Sequence, residues 1–115
     1  TPTIVLKNKE PFLILGSPGG SRIITAVLQT ILNVTVHNMN IQKAVSAPRV
    51  HSQWLPDVIM AESYSIIKDV ETSLINKGHK ILPYKNVGDV NAILINEDGY
   101  FGGTDIRGEN TAIGY

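Results

Sequence analysis

A segment made mostly of glycine, serine and proline, residues 16–21, separates two apolar stretches of different character. Residues 12–15 before it form an uninterrupted apolar run, which is typical of a buried strand. After it, apolar residues recur at helical spacing, at positions Ile24, Val27, Leu28 and Ile31. This pattern predicts a strand, a tight turn and a helix over about 21–33, and it limits the fold more than any other feature.

The rest of the chain supplies further strands and two more helices. A short helix is expected after Asn40, a favourable N-cap residue, and Pro48 ends it because proline disfavours helical geometry in the residue before it. A longer helix is expected over 65–77, with Gly78 after its end. Strands are predicted at residues 3–6, 58–61, 81–82, 90–95 and 100–101, with a hairpin turn at 96–99. This order predicts an α+β layered fold rather than regular βαβ alternation.

The composition excludes several classes of function. Ten acidic residues balance ten basic ones in the 115-residue chain, and charges of one sign do not cluster, which argues against a nucleic-acid partner. The chain has no cysteine, so disulfides, thiolate metal sites and cysteine nucleophiles are excluded. No apolar stretch reaches the roughly 18 residues of a membrane span, so no span is expected in this chain.

The glycine-rich turn has two functional interpretations and one structural one. It fails the phosphate-loop pattern, because Ser21 and Arg22 stand where that pattern requires Gly and Lys, and Pro18 breaks the dinucleotide-binding pattern. What remains is a pair of main-chain N–H groups, of Gly19 and Gly20, at the positive end of a helix. Such a pair binds a phosphate or carboxylate, or stabilises an oxyanion during acyl transfer at about 3 kcal/mol for each donor. A tight turn without a ligand is the alternative, since glycine is common in any tight turn.

The histidines and Thr1 are the other candidates for catalytic or metal-binding groups. The three histidines, His37, His51 and His79, lie in different predicted elements and lack metal-ligand spacing, so no metal site is expected, and no motif calls for a cofactor. His51 and Asp57 suggest a base and its orienting acid, but a loop histidine with local hydrogen bonds is the favoured interpretation. Thr1 resembles an N-terminal nucleophile, yet a proline and a strand follow it at once, which favours a cut or ragged terminus.

Two further features receive a structural interpretation. Asp105 and Arg107 are two residues apart, so on a strand they share a face and indicate an ion pair that ties down the last strand. Trp54 lies in the irregular segment 49–57, and its large ring is expected to fill the core beneath that loop.

The sequence resembles the γ-glutamyltranspeptidase family in several blocks that follow one order. They are PTIV at residues 2–5, GSPGGSRII at 16–24, APR at 47–49 with His51, and QWLPD at 53–57. The resemblance covers nearly the whole chain, and its glycine-rich and QWLPD blocks are specific. The final Gly-Tyr also resembles the family's C-terminus. The sequence departs from the family at Ile106, where many members have proline between an aspartate and an arginine.

The resemblance implies a fold and an activity. The family belongs to the N-terminal-nucleophile hydrolases, so residues 1–115 are expected to form a single domain that is part of an αββα sandwich, with antiparallel strands and about three helices. A precursor cuts itself into a large and a small subunit, and the new N-terminal threonine of the small subunit is the nucleophile. The enzyme transfers the γ-glutamyl group of glutathione and related amides to water, an amino acid or a peptide, without a cofactor.

The resemblance also implies which functional residues this chain carries. Gly19 and Gly20 match the oxyanion-hole residues of the family, while Ser17, Pro18 and Arg22 match the same motif and are expected to support its shape. The chain resembles the C-terminal part of the small subunit, so the threonine nucleophile, a serine pair and an arginine that bind the substrate lie outside it. The fragment is therefore expected to be inactive alone.

Its expected partners are the rest of the small subunit, the large subunit, and glutathione or other γ-glutamyl compounds. The parent enzyme is expected in the periplasm or outside the cell. Two alternatives stay open: a non-catalytic module that binds phosphate or carboxylate at the Gly19–Gly20 turn, and an autonomous structural domain. In the second case the sheet would lack the strands that the rest of the small subunit provides, so its exposed edges would favour self-association of the isolated fragment.

Overall fold

The computed structural model describes residues 2–114. The helices are α1 (Arg22–Thr35), α2 (Ile41–Ser46) and α3 (Lys68–Asn76). The strands are β1 (Thr3–Lys7), β2 (Glu10–Gly16), β3 (Val50–His51), β4 (Ile59–Ala61), β5 (Ile81–Pro83), β6 (Asn91–Asn96) and β7 (Gly99–Gly103). The predicted strands and helices recur in the expected order, with ends shifted by a few residues. Strand β3 corrects the expectation that segment 49–57 is irregular throughout, because its two residues become a strand only by pairing with β4. None of the helices within the described range is long and apolar enough to cross a membrane.

The strands form two sheets. A four-stranded antiparallel sheet has the order β1-β2-β6-β7, and a three-stranded sheet has the order β3-β4-β5. In the second sheet β4 and β5 pair in parallel, because α3 carries the chain back to the end of the sheet where β4 began. The α+β fold with antiparallel strands and three helices is confirmed.

The core lies between one face of the four-stranded sheet and the helices α1 and α2. Alternate residues of β2, Leu13 and Leu15, are buried, as expected for a strand with one face on the core. Their partners come from β6, from the residue before it and from the two helices: Ala26, Val27, Val34, Ile41, Ala44, Val45, Val90 and Ala92. Because the strand that precedes the glycine turn is anchored in this core, the core sets the position of the turn.

The buried face of α1 differs from the one that the spacing predicts. Ile24 is 74% exposed and Leu28 is half exposed, whereas Ala26 and Thr30 are completely buried. Small residues let the helix approach the sheet closely, and the Thr30 hydroxyl donates to the carbonyl of Ala26 at 2.9 Å, so burial leaves it paired. The apolar spacing therefore identified the helix but not its whole buried face. Ile24 and Leu28, which the spacing places on that face, are exposed, and Ala26 and Thr30 are buried there instead.

One predicted apolar contact is wrong. Trp54 does not fill the core, because it is 80% exposed. It lies in residues 52–57, which contain neither helix nor strand, and such segments run over the surface where water satisfies their main chain. Helix α3 contributes no buried residue to the core.

The outer face of the four-stranded sheet is apolar and open. Ile4, Ile14 and Ile93 lie side by side across three strands on this face, and Ile4 and Ile93 are exposed. We expect the isolated chain to self-associate at high concentration through this face and the free edge of β1, because association removes apolar surface from water. Light scattering should give a mass above the monomer, and Ile93→Lys should lower it. A strictly monomeric mass for the unmodified chain would contradict the expectation.

Candidate functional site

The glycine-rich turn joins the end of β2 to the start of α1. Gly19 has φ +133° and Gly20 has φ +59°, both in the region that L-residues with a side chain rarely adopt. Glycine occupies this region without a steric penalty, so the backbone path itself requires the two adjacent glycines.

The main-chain N–H groups of Gly19 and Gly20 have no hydrogen-bond partner within the described part of the chain. The carbonyls of Gly19 and Gly20 accept from the N–H groups of Arg22 and Ile23 at 3.2 and 3.1 Å, which begins the helix. No hydrogen bond among residues 2–114 uses the N–H of either glycine. Two donors therefore stay available beside the positive end of a 14-residue helix, an arrangement that favours an anion.

The turn lies at the surface of the chain. Gly20 is exposed and Gly19 is half-buried, and the five concavities described in residues 2–114 are lined by other residues. The chain thus supplies two hydrogen-bond donors but does not itself enclose a substrate around them.

One side of the turn packs closely against Gly88. The Ser17 hydroxyl donates to the carbonyl of Pro18 at 2.7 Å and accepts from the N–H of Asp89 at 2.9 Å, which ties the two segments together. A Cβ atom on Gly88 would lie 2.7 Å from both Ala26 Cβ and Ser17 Oγ, so no side chain fits there. The expected supporting role of Ser17 agrees with these contacts.

The other side of the turn is bonded to the loop after β3. The Ser21 hydroxyl donates to Gln53 Oε1 at 2.6 Å, and His51 Nε2 lies 2.8 Å from the same oxygen. His51 Nδ1 lies 2.7 Å from the hydroxyl oxygen of Thr25. Among the described hydrogen bonds, those of the His51 ring go to Thr25 and Gln53 rather than to Asp57, so the base-and-orienter interpretation is not supported.

A buried network of four charged side chains lies behind Gly88. Asp105 Oδ1 accepts from Arg107 Nη1 at 2.7 Å, and Asp105 Oδ2 lies 2.8 Å from Arg49 Nη1. The first is the ion pair that the sequence indicates, but both of its residues lie in the irregular segment after β7 rather than on a strand. Arg107 also pairs with Glu62, whose carboxylate accepts from the N–H groups of Val87 and Arg49 at 2.6 and 2.9 Å. The N–H of Val90 donates to Asp105 at 2.7 Å. The network therefore binds the main chain at Val87 and Val90, on both sides of Gly88, and so fixes the segment that packs against the turn.

Both carboxylates of this network are held ionised. Burial alone would raise the pKa of Glu62, but hydrogen bonds from Arg107 and from two main-chain N–H groups outweigh it and hold that pKa below the ordinary value. For Asp105, burial again opposes ionisation, and the N–H of Val90 together with the two arginines lowers the pKa below its ordinary value. The ionised network therefore contributes stability at neutral pH that acid removes.

The remaining candidates lie apart from the turn or outside the described range. His37 and His79 are exposed and belong to different segments, and residues 2–114 contain no cluster of three or more side chains able to hold a metal ion. Thr1 lies outside the described residues. Sequence reasoning missed Gln53, Glu62 and Gly88, which are brought to the turn or its support by tertiary contacts. The local signals were weak: Pro56 three residues after Gln53, and an isolated glycine between β5 and β6.

The comparisons with known proteins agree on one family. A family model described as gamma-glutamyltranspeptidase matches residues 1–115. The chain is 41% identical over 108 residues to a glutathione hydrolase proenzyme of Escherichia coli, covering 93% of this chain and 18% of that protein. It is 38% identical over 127 aligned positions to one from a Pseudomonas species, covering 100% of this chain and 22% of that protein. The chain thus spans about a fifth of the length of these relatives.

Solved structures give the same result at the level of the fold. The chain matches a mutant γ-glutamyltranspeptidase of Helicobacter pylori with 52% identity and a TM-score of 0.87, covering 94% of this chain and 60% of that one. It matches the Pseudomonas nitroreducens γ-glutamyltranspeptidase complexed with L-DON with 35% identity and a TM-score of 0.89, covering 100% of this chain and 61% of that one. The free glycine donors thus occur in a chain with both the sequence and the fold of these enzymes, and the chain belongs to the γ-glutamyltranspeptidase family.

Proposed function

We propose that this chain is the C-terminal part of the small subunit of a glutathione hydrolase and supplies the backbone oxyanion hole for γ-glutamyl transfer. The observation that carries the proposal is the pair of unused N–H groups of Gly19 and Gly20 at the start of α1. The glycine-rich motif that contains them, 16–24, resembles the family's own.

The role follows from how an amide carbonyl reacts. When the threonine hydroxyl of the parent enzyme attacks the γ-glutamyl carbonyl, an O–C bond forms and the carbonyl oxygen gains negative charge. Donors from Gly19 and Gly20 stabilise this oxyanion more than the neutral carbonyl, so they lower the barrier by about 3 kcal/mol each. The C–N bond then breaks as the leaving amine takes the proton that the threonine hydroxyl gave to its own amine. Water or an amino acid next attacks the acyl-enzyme through a second oxyanion at the same donors, and the ester C–O bond breaks as the proton of the attacking group returns to the threonine hydroxyl.

The remainder of the proenzyme supplies the other parts of the site. The proposal assigns the threonine nucleophile and the groups that bind the α-carboxylate of the substrate to the rest of the small subunit and to the large subunit. Acyl transfer of this kind moves an acyl group and protons but no electrons, so the proposed reaction uses no cofactor. We place the parent enzyme in the periplasm or outside the cell.

The isolated 115-residue chain is expected to release no dye from a chromogenic γ-glutamyl anilide. The proenzyme that contains it should release dye after self-cleavage. An oxyanion hole without a nucleophile stabilises no acyl transfer. Turnover by the purified chain would show that the chain contains a nucleophile of its own. A parent enzyme that cleaves itself but does not turn over the anilide would contradict the proposed γ-glutamyl transfer activity.

The same two donors also suit a non-catalytic anion-binding module. Calorimetry of the isolated chain with inorganic phosphate and with glutamate tests this alternative. Saturable binding of phosphate, combined with an inert parent enzyme, would favour the module over the enzyme.

A further inference from the structure

We infer that Gln53 is a positioning residue that holds the Gly19–Gly20 turn in the geometry that oxyanion stabilisation requires. The inference rests on the function proposed above and adds a residue to it. It concerns a set of side chains that we call the clamp: Ser21, Thr25, His51 and Gln53.

The first observation is that Ser21 does not act as a helix cap. A serine before the first helical residue usually accepts a hydrogen bond from an N–H of the first turn, which stabilises the helix. Here Ser21 has helical φ and ψ of −60° and −24° and makes no side-chain capping bond. Its hydroxyl instead donates at 2.6 Å to Gln53, which lies 32 residues further along the chain. The bond therefore links the residue after Gly20 to the loop that follows β3, rather than to the first turn of its own helix.

The second observation is that the contacts of Gln53 determine its orientation. Its Nε2 donates to the carbonyl of Leu55 at 2.9 Å, so the amide group points its oxygen at Ser21 and His51. Because that oxygen only accepts, His51 Nε2 must carry the proton of this bond. His51 Nδ1 lies 2.7 Å from the Thr25 hydroxyl oxygen, and that hydroxyl also donates to the carbonyl of Arg22 at 3.2 Å.

The clamp connects the residue before α1 to the first turn of that helix. Ser21 and Thr25 are four residues apart and therefore lie on one face of the helix start. His51, which is 2% exposed, and Gln53 bridge them from β3 and its loop. The helix start is thus held at two points, and Ser17 with Gly88 holds the other side of the same turn.

A clamp at this place is expected to act on the rate of the chemical step. Ser21 directly follows Gly20, so loss of its bond lets the two donors move relative to the reacting carbonyl. Small displacements of a preorganised donor are costly, since each 1.36 kcal/mol lost in the transition state is a factor of ten in rate. The oxyanion forms only after attack, so kcat should fall while KM stays nearly constant.

The test replaces Gln53 in the full-length, self-cleaved enzyme. Gln53→Met keeps the length of the side chain and removes its polar atoms, and we expect kcat to fall about tenfold with KM changed less than twofold. Activity is expressed per cleaved enzyme, and the melting temperature of each variant is recorded.

Gln29→Met is the matched control. Gln29 binds the same strand to the same helix through the carbonyls of Thr25 and Val50, both at 2.8 Å, and the N–H of Val50 at 3.0 Å. It lies two helical turns, about 12 Å, beyond Ser21. This variant should lose at least as much thermal stability as Gln53→Met and keep its kcat.

Ser21 supplies the second test of the same link. Ser21→Ala should lower kcat as much as Gln53→Met, the double variant should be no slower than either single one, and Ser21→Thr should keep most of the rate because it retains the hydroxyl. Additive losses, or equal losses in Gln53→Met and Gln29→Met, would overturn the inference.

Failure of the inference differs from failure of the proposed function. If Gly19→Ala slows the enzyme and Gln53→Met does not, the clamp has no positioning role and the oxyanion hole stands. If Gly19→Ala leaves kcat unchanged, the proposed oxyanion hole itself is wrong.

Discussion

Replacing Gly19 by alanine in the self-cleaved parent enzyme is expected to lower kcat by roughly 10²-fold, with little change in KM. At φ +133° a Cβ atom strains the backbone, so the turn relaxes and its N–H groups turn away from the oxyanion. A Cβ atom on residue 19 would lie 3.5 Å from the Cα atom of Gly88, which is an ordinary contact. The effect therefore comes from the backbone angle rather than from a clash. Steady-state kinetics with a γ-glutamyl anilide measures it.

Gly99→Ala is the matched control for this change. Gly99 has φ +127° in the hairpin between β6 and β7, and a Cβ there meets nothing within 4 Å. Both substitutions should lower the melting temperature to a similar extent, since each costs about 1–3 kcal/mol of backbone strain. Only Gly19→Ala should change kcat. A similar loss of rate in both variants would mean that stability, rather than the donors, controls the activity.

Replacing Asp105 by asparagine is expected to lower the free energy of unfolding by about 3–5 kcal/mol. The substitution keeps the shape of the side chain but leaves the buried guanidinium groups of Arg49 and Arg107 without the carboxylate that they share. Urea unfolding of the chain at low concentration measures the change. Asp98→Asn, at an exposed position, should alter the same quantity by less than about 0.5 kcal/mol. A loss for Asp105→Asn as small as that for Asp98→Asn would contradict the proposed importance of the network.

The same network sets the direction of the pH dependence. Folding lowers the pKa of both Glu62 and Asp105, so the unfolded chain binds more protons than the folded one in mild acid. Their stabilising contribution is complete above the ordinary carboxyl pKa of about 4 and is lost progressively as the pH falls below it. The unfolding free energy should therefore decrease between about pH 5 and pH 2, with a smaller slope in Asp105→Asn. An equal slope in both proteins would contradict the assignment.

Local sequence patterns predicted most strands and helices and the position of the glycine turn. These features depend on neighbouring residues: an apolar run before residue 16, a helical repeat after residue 21, and a glycine pair between them. The sequence alone did not indicate which side of α1 is buried, because Ile24 and Ala26 both fit a helix and only the approach of the sheet selects the smaller one. It also placed Trp54 in the core, since its size favours burial and its loop gave no sign of lying outside.

What the sequence by itself determined is the family, the strand–turn–helix unit and the two glycines whose N–H groups are proposed to bind the oxyanion, because all three are properties of contiguous residues. Only the tertiary structure decided how that turn is supported: Gln53 reaches Ser21 across 32 residues, and Gly88 lies against Ser17 with the buried ion network behind it. The physical reason is that hydrogen bonds and close contacts depend on distance in space. Packing of the two sheets and the helices sets that distance, and no short stretch of the chain encodes it.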